Sequence, residues 1–209
     1  CEYWLPDSIE PKTILDIGGN IGITSILFAK KFPKSIIHSF EPLKDNFEIM
    51  SNNVSAYLNI HTHPYGLGDK NDQLTMYKSH DADNFAAWSI YPHLENIDES
   101  NSIVIDIKDA KSQINSIGIK SFDLIKIDTE GAEYPIIKSI GSSFLKKTQL
   151  IVGELHGNYD YEFLSYLNEI GFNIRTNIKA NKPHFMFYAI SDQLLKNMTR
   201  KEIRILNHL

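Results

Sequence analysis

The sequence contains one cysteine, Cys1, among 209 residues. A lone thiol excludes an intrachain disulfide and a zinc site built from thiolates, and it is typical of proteins from reducing compartments. The sequence also lacks a signal peptide and any apolar run long enough to cross a membrane. We therefore expect a cytoplasmic protein with no integral membrane segment.

Basic residues are too few to predict a nucleic-acid surface. Lysine and arginine total 21 against 26 acidic residues, a net charge of −5 that repels a phosphate backbone unless cations gather on one face. The short basic clusters each follow an apolar run typical of a helix, where cations complement the helix dipole. They are Lys30, Lys31 and Lys34, then Lys146 and Lys147. We expect no nucleic-acid partner.

The length and the 42% hydrophobic content predict one domain over residues 1–209. Short β-branched runs alternate with segments of helical apolar spacing, beginning with a strand over 13–17 and a helix over 23–32. Further strands are predicted over 35–40, 59–64, 122–128 and 150–155. The alternation predicts an α/β fold: a doubly wound, mostly parallel sheet with helices on both faces, closed by an antiparallel pair over 172–176 and 185–190.

The pattern weakens between residues 66 and 105. Turn signals flank an apolar run at 74–77 and predict an inserted hairpin or lid. Its aromatic residues could stack on an adenine or a sugar, or could simply bury the hairpin; they are Phe85, Trp88 and Tyr91. Helical spacing returns at about 107–117. The tail over 191–209 predicts one further helix, used either for packing or as the contact of a homodimer.

Three glycines, Gly18, Gly19 and Gly22, lie between the first predicted strand and the first predicted helix. In open α/β sheets a ligand binds at this position, because glycines let it approach the backbone and the helix N-terminus after Asn20 offers amide donors. A tight turn that binds nothing would have the same glycines. The neighbouring acids decide between these possibilities.

Glu41 ends the second predicted strand, where a carboxylate can accept hydrogen bonds from ribose hydroxyls of either a nicotinamide dinucleotide or S-adenosylmethionine. Asp16, just before the glycines, would repel a pyrophosphate but not a sulfonium or ammonium group. The dinucleotide pattern Gly-x-Gly-x-x-Gly also fails, since its first position is Ile17. The loop therefore favours S-adenosylmethionine. A nicotinamide oxidoreductase and a non-catalytic nucleoside-binding module stay as alternatives.

Three blocks carry a resemblance to a known family. They are Asp-Ile-Gly-Gly-Asn-Ile-Gly at 16–22, Phe-Glu-Pro at 40–42 and Asp-Leu-Ile-Lys-Ile-Asp-Thr-Glu-Gly-Ala-Glu at 123–133, joined by Gly-Leu-Gly at 66–68, Asp106 and Glu-Leu-His at 154–156. Over residues 14–156 the sequence resembles the FkbM family of methyltransferases. It departs at Gly19, where the family usually has alanine, and we expect a looser loop there.

The resemblance implies a class I, Rossmann-like methyltransferase fold with a seven-stranded sheet. It also implies S-adenosyl-L-methionine as the methyl donor and O-methylation of a small hydroxyl acceptor, such as a saccharide, a glycolipid or a natural product. The residues expected to bind the donor are Asp16, Gly18, Gly19, Asn20, Gly22, Glu41, Pro42, Gly66, Leu67 and Asp128.

Candidate catalytic residues follow two later strands of the predicted sheet. Asp128 and Glu130 follow one, and Glu154 and His156 follow the next, so we expect them to converge on one cleft. His156 is the best base, because the ordinary pKa of histidine lies near neutrality. The alternatives are that Glu130 caps the next helix, that Lys126 pairs with an acid and that His156 only hydrogen-bonds in its loop.

Carboxylates with an imidazole also suit Mg²⁺ or Zn²⁺. The spacing of these residues along the sequence matches no established metal motif, so we expect no metal site. His61 and His63 share one face of a predicted strand. Without a third ligand they are expected to be surface or packing residues.

Overall fold

The computed structural model describes residues 3–79, 88–89, 97–157, 159–177 and 184–208. In chain order its strands are β1 (Thr13–Ile17), β2 (Ile36–Phe40), β3 (Ile60–His63), β4 (Gly66–Gly68), β5 (Asp72–Ser79), β6 (Trp88–Ser89), β7 (Ile97–Asp109), β8 (Leu124–Ile127), β9 (Leu150–Leu155), β10 (Phe172–Asn177) and β11 (Phe185–Ser191). The helices are α1 (Ile23–Lys31), α2 (Lys44–Val54), α3 (Ala110–Ser116), α4 (Glu133–Ile140), α5 (Ser142–Leu145), α6 (Asp160–Glu169), α7 (Asp192–Asn197) and α8 (Arg200–Leu206).

The main sheet has the strand order β10-β11-β9-β8-β1-β2-β3. β1 is parallel to β2 and β8, β2 to β3 and β8 to β9, whereas β11 is antiparallel to β9 and β10. The predicted mostly parallel sheet with an antiparallel C-terminal pair is confirmed. Strand order reverses between β1 and β8, so the loops after these strands form the crevice in which such sheets bind ligands.

Side chains alternate between the two faces of the main sheet. Ile14 and Val152 pack in one core with residues of α1, α2, α7 and α8, whereas Leu15 and Ile151 pack in another with residues of α3, α4 and α6. This alternation is what a sheet covered on both faces requires. The two cores hold the sheet rigidly and leave its carboxyl edge to the loops.

The region of weak pattern forms a second sheet with the order β4-β7-β5-β6. β5 and β7 pair antiparallel, so the predicted insertion is a hairpin with β6 at its far edge. The helical start predicted at about 107 is wrong, because Ile107 pairs with Asp72 and β7 continues to Asp109. The Asp109 side chain then caps α3. Phe85 and Tyr91 lie outside the described residues.

The C-terminal tail forms two short helices instead of the single predicted one. Met198 has an extended backbone, and Thr199 and Glu202 form a capping box that starts α8. Leu194 and Leu206 are buried in the core beside α1, so the tail packs on its own chain. No helix in the described part of the chain has the length and apolar character needed to cross a membrane.

Candidate active site

The glycine loop after β1 uses its amides inside the protein. The Gly18 and Gly19 amides both donate to the Phe40 carbonyl, at 3.0 and 2.9 Å. The Asn20 amide donates to Glu41 Oε2 at 2.8 Å. Gly18 has a φ of +79°, and a Cβ there would overlap the backbone that follows β8. The loop is therefore held between β2 and β8, and these three amides are already engaged.

Gly19 fits the loop against β2 and does not loosen it, contrary to the expectation from sequence. A Cβ at this position would overlap Ser39 Oγ and would lie 2.8 Å from Met50 Sδ. Alanine at position 19, the usual residue of the family that the sequence resembles, would require the Ser39 hydroxyl and the Met50 sulfur to move or to be replaced by smaller groups. Gly19 and Ser39 are thus a sterically matched pair.

Asp16 lies beneath the loop and is not part of the cavity wall. Its fully buried carboxylate accepts hydrogen bonds from Ser25 Oγ at 2.5 Å and Ser39 Oγ at 3.3 Å, and Lys126 Nζ lies 3.4 Å away. Lys126 Nζ also donates to the Gly18 carbonyl at 2.5 Å. The prediction that Lys126 pairs with an acid is confirmed. The structure gives Asp16 a supporting position below the loop where the sequence suggested a ligand contact.

A cavity of about 540 Å³ opens beside the loop at the carboxyl edge of the main sheet. Most of the residues predicted to bind the donor line it: Gly18, Gly19, Asn20, Glu41, Pro42, Gly66, Leu67 and Asp128. Gly22, like Asp16, does not. The second sheet supplies an apolar wall that includes Met76, Trp88 and Ile105, and Glu130 lines the end beyond β8.

Glu41 is the buried acid of this cavity, with 4% of its surface exposed. Its Oε2 is held by the Asn20 amide, and its Oε1 accepts from the Leu43 amide at 2.9 Å. Burial raises the pKa of Glu41, while the two amide hydrogen bonds oppose the rise. Each carboxylate oxygen has a further lone pair, which suits the expected role of accepting hydrogen bonds from ligand hydroxyls.

The loops after β8 and β9 bring acids and an imidazole together. His156 Nε2 lies 3.5 Å from Glu130 Oε2 and 3.8 Å from Asp128 Oδ1, and Nδ1 lies 3.3 Å from Glu133 Oε1. Glu154 Oε1 instead lies 3.4 Å from Nε2 of His184, which precedes β11. The structure thus groups three of the four candidate catalytic residues and leaves Glu154 beside them.

These carboxylates stabilise a charged imidazole. Burial disfavours the charged ring, but the hydrogen bond with Glu133 and the charges of the neighbouring carboxylates outweigh it and raise the pKa of His156 to about 9. Burial and neighbouring carboxylates raise the pKa of Glu130 to about 7, although His156 opposes the rise. At neutral pH His156 therefore holds a proton, so its surroundings do not favour the role of free base that the sequence suggested.

Backbone strain is concentrated in the loops of this edge. Among the described residues, the non-glycine residues with positive φ are Asn20 at 48°, Glu130 at 57° and Tyr159 at 61°. They follow β1, β8 and β9. Such conformations cost about 1–3 kcal/mol each, and they are common where a functional site fixes the backbone.

Two residues of this site are not among those predicted from the sequence. Glu133 is 1% exposed, and its Oε1 accepts hydrogen bonds from the Thr129 amide at 3.0 Å and the Gly131 amide at 3.2 Å. The Tyr3 hydroxyl donates to Asp128 Oδ2 at 2.8 Å. Glu133 is visible in the sequence as the last acid of the block 123–133. Tyr3 leaves no local signal, because its partner is 125 residues away.

The strand order of the main sheet, with a glycine loop and a buried acid at its switch point, defines a class I, Rossmann-like methyltransferase fold. A solved FkbM methyltransferase from Methylobacillus flagellatus superposes with a TM-score of 0.58 at 16% identity, covering 86% of this chain and 44% of that one. A precorrin-6y C5,15-methyltransferase from Geobacter metallireducens gives a TM-score of 0.51 at 13% identity, covering 86% and 80%.

The model of the methyltransferase FkbM domain matches residues 16–174, and the chain belongs to this family. "Methyltransferase 1" of Beauveria bassiana is 24% identical in an alignment 158 residues long, which covers 68% of this chain and 64% of the fungal protein. The AMB antimetabolite synthetase AmbE of Pseudomonas aeruginosa is 24% identical in an alignment 190 residues long, which covers 74% of this chain and 9% of the synthetase. The chain therefore spans less than two thirds of these relatives.

Proposed function

We propose that the protein is an S-adenosyl-L-methionine-dependent methyltransferase that O-methylates a hydroxyl of a small acceptor, such as a saccharide, a glycolipid or a natural product. The observation that carries this proposal is that two sites share one crevice. The cavity wall that contains Glu41 also contains Asp128 and Glu130, and these two acids surround His156. The proposed nucleoside site is thus continuous with side chains that can accept or donate a proton.

The charge of the cavity supports a cationic nucleoside as the ligand. Its wall contains the acids Glu41, Asp69, Asp72, Asp128 and Glu130 and the bases Lys70 and Lys126. Lys70 pairs with Asp72 at 2.9 Å, and Lys126 is held by Asp16 and the loop. The amides of Gly18, Gly19 and Asn20 are engaged as well, and the acids of the wall would repel a pyrophosphate. This argues against the nicotinamide oxidoreductase.

Each part of the donor has a complementary group on the wall. Glu41 would accept hydrogen bonds from the ribose hydroxyls, the apolar side chains around Leu67 and Met76 would cover the base, and Asp128 would attract the ammonium or sulfonium group. When bound, S-adenosylmethionine supplies a sulfonium methyl group, which forms a bond to the acceptor oxygen as S-adenosylhomocysteine is released. The chain must align that oxygen and accept or release its proton.

Titration calorimetry with S-adenosylmethionine, S-adenosylhomocysteine and NADH tests the donor. We expect both sulfur nucleosides to bind with dissociation constants on the order of micromolar and NADH not to bind. Binding of NADH alone would overturn the proposal.

A methyl-transfer screen with labelled donor and a broad set of hydroxylated acceptors tests the reaction. His156→Ala should leave donor binding nearly intact and lower turnover, because His156 orders the acids at the acceptor end. His61→Ala, an exposed histidine on β3, is the matched control. Donor binding without transfer to any acceptor would instead identify a non-catalytic nucleoside-binding module.

A further inference from the structure

The cluster at the end of the donor cavity contains three side chains that can bind a metal ion. Asp128, Glu130 and His156 each present one ligand atom, and these atoms all lie within 4.8 Å of one another. The spacing of these residues in the sequence matches no established metal motif, because they follow two neighbouring parallel strands, β8 and β9, that are separated by 22 residues. The left-handed backbone at Glu130 turns its loop at this point.

The distances within the cluster suit ligands around one ion. His156 Nε2 lies 3.5 and 3.8 Å from the two carboxylate oxygens, which is longer than an ordinary hydrogen bond. Two ligands at about 2.1–2.4 Å from an ion and at right angles are about 3.0–3.4 Å apart, and opposite ligands are about 4.2–4.8 Å apart. The observed distances of 3.5 and 3.8 Å lie between these limits and match ligands at tetrahedral angles, which are about 3.4–3.9 Å apart.

Two of the three side chains are held in place by contacts on the side that faces away from the cluster. His156 Nδ1 lies 3.3 Å from Glu133 Oε1, so the ring can keep its proton on Nδ1 and, once an ion displaces the proton from Nε2, bind that ion through the Nε2 lone pair. Asp128 Oδ2 accepts from the Tyr3 hydroxyl, which leaves Oδ1 on the side of His156. A carboxylate behind a histidine and a donor behind a carboxylate are the supports typical of metal ligands.

Glu133 gives an independent indication of a cation. Its side chain is 98% buried, and its Oε2 has no hydrogen-bond partner among the described residues. A buried carboxylate with an unsatisfied oxygen is unfavourable unless positive charge lies close by. The protonated ring of His156 balances only one of the three carboxylates around it. Lys126, 3.9 Å from Asp128, is already shared with Asp16 and the loop carbonyls, so the cluster keeps surplus negative charge.

We propose that Asp128, Glu130 and His156 bind a divalent cation of the Mn²⁺ or Zn²⁺ type. Mixed carboxylate and imidazole ligands suit these ions. Three protein ligands leave coordination positions open, and Asp128 and Glu130 face the cavity, so an acceptor hydroxyl can complete the coordination. An ion there lowers the pKa of the bound hydroxyl, and its proton passes to water without a protein base. This last step rests on the proposed function, whereas the binding of the ion does not.

Mn²⁺ is the probe for the site, because the electron paramagnetic resonance signal of free Mn²⁺ disappears on binding. The chelator-treated protein, without donor or acceptor, should bind one Mn²⁺ per chain. Glu130→Gln and His156→Gln should each weaken binding by at least about tenfold, and Glu133→Gln by about 10–100-fold. Glu162→Gln, an exposed acid on α6, is the matched control and should bind as the wild type does.

The midpoint of thermal unfolding shows whether each variant is folded. Mn²⁺ and Zn²⁺ should raise the midpoint of the wild type, since an ion that binds only the folded state stabilises it. Glu130→Gln changes a side chain that is 46% exposed, so this variant should fold even where His156→Gln does not. Equal Mn²⁺ binding by wild type and Glu130→Gln, or no binding at millimolar Mn²⁺ and Zn²⁺, would overturn the proposal.

The metal site and the proposed methyl transfer can fail separately. Mn²⁺ binding that depends on Glu130, with no methylation of any acceptor, would retain the metal site and reject the function. Methylation at an undiminished rate by chelator-treated protein that does not bind Mn²⁺ or Zn²⁺ would retain the function and reject the metal site.

Discussion

Among single residues, Glu41 is the one on which donor affinity should depend most. It is buried in the cavity wall and fixed by two backbone amides. Glu41→Ala should weaken S-adenosylmethionine binding by more than about tenfold, because two charge-assisted hydrogen bonds to the ribose are lost. Titration calorimetry measures this change, with the exposed Glu48→Ala on α2 as the control. Unchanged affinity in Glu41→Ala would place the ribose elsewhere.

The fit between Gly19 and Ser39 can be tested by a double-mutant cycle. Gly19→Ala alone should lower the free energy of unfolding by about 1–3 kcal/mol, since the added methyl group meets Ser39 Oγ. Ser39→Ala removes that oxygen, so the double variant should regain much of the loss. Urea denaturation of the four proteins gives the coupling. Strictly additive effects would mean that the two residues do not contact each other.

The role of residues at the ends of strands could be predicted from the sequence, because a residue at the carboxyl end of a parallel strand lies at the edge of the sheet where ligands bind. Glu41 and Asp128 are examples, and both line the cavity. Asp16 was predicted to face the ligand because of its charge, but a side chain within a strand points to one face of the sheet, and there it meets Ser25 and Lys126. That direction depends on tertiary packing and is not evident from a glycine motif.

At the scale of elements, α8 and the N-terminal segment are joined by Glu202. Its carboxylate accepts hydrogen bonds from the amide and hydroxyl of Thr199, at 2.7 and 2.6 Å, and from those of Ser8, at 2.9 and 3.0 Å. Burial acts to raise the pKa of Glu202, but these bonds lower it to about 2. One side chain thus caps a helix and fastens a segment 194 residues away.

Glu202→Gln should lower the free energy of unfolding by about 1–3 kcal/mol at neutral pH, because an amide cannot accept all four hydrogen bonds. Urea denaturation measures the loss, and Glu10→Gln, an exposed acid in the N-terminal segment, serves as the control. Equal stability of Glu202→Gln and wild type would show that the two contacts are independent of the charge.

The bounds of a helix or strand could be predicted where its apolar residues follow a single spacing, either that of a helix or that of a strand. Ile103, Ile105 and Ile107 alternate as a strand does, but they run directly into α3, so the helical pattern was extended too far toward the N-terminus. In the tail, apolar spacing continues across Met198, and the break comes from the competing cap at Thr199. Both errors occur where two elements adjoin without an intervening loop.

At the scale of the whole molecule, stability should decrease in mild acid because of two histidines, His38, which is buried, and His63, which is half-buried. His38 Nδ1 lies 3.0 Å from His63 Nε2 in adjacent strands β2 and β3, and both rings stack among aromatic side chains. Burial, followed by the charges of neighbouring histidines, lowers the pKa of each from 6.5 to about 4. The unfolded chain therefore binds more protons, so this stability is present above pH 6.5 and is lost as pH falls through about 4.

Urea midpoints measured between pH 6.5 and 4.5 should fall for the wild type. His38→Phe removes one titrating ring and should make the decrease shallower, whatever its effect at neutral pH. Glu202 stays ionised in this window, because its pKa in the folded protein is about 2. The stability that Glu202 contributes is therefore lost only as the pH falls from 4.5 to about 2. Parallel curves for wild type and His38→Phe would contradict the assignment.

The overall architecture and the convergence of Asp128, Glu130 and His156 could be predicted from the sequence, whereas the place of Glu133 in the cluster could not. Asp128 and His156 meet because β8 and β9 are neighbours in the sheet, as their positions after consecutive predicted strands indicated. Glu133 belongs to the cluster only because the loop after β8 folds back on it. Tertiary contact, and not local pattern, assembles this end of the site.

The position of Trp88 on the cavity wall gives the protein a built-in optical reporter. The chain has only two tryptophans, and the other, Trp4, lies against Tyr188, with its ring 6.4 Å from that of Tyr188. In a Trp4→Phe background the tryptophan emission therefore comes from Trp88 alone. Ligand entry can then be followed in real time, without labels and without knowing the methyl acceptor.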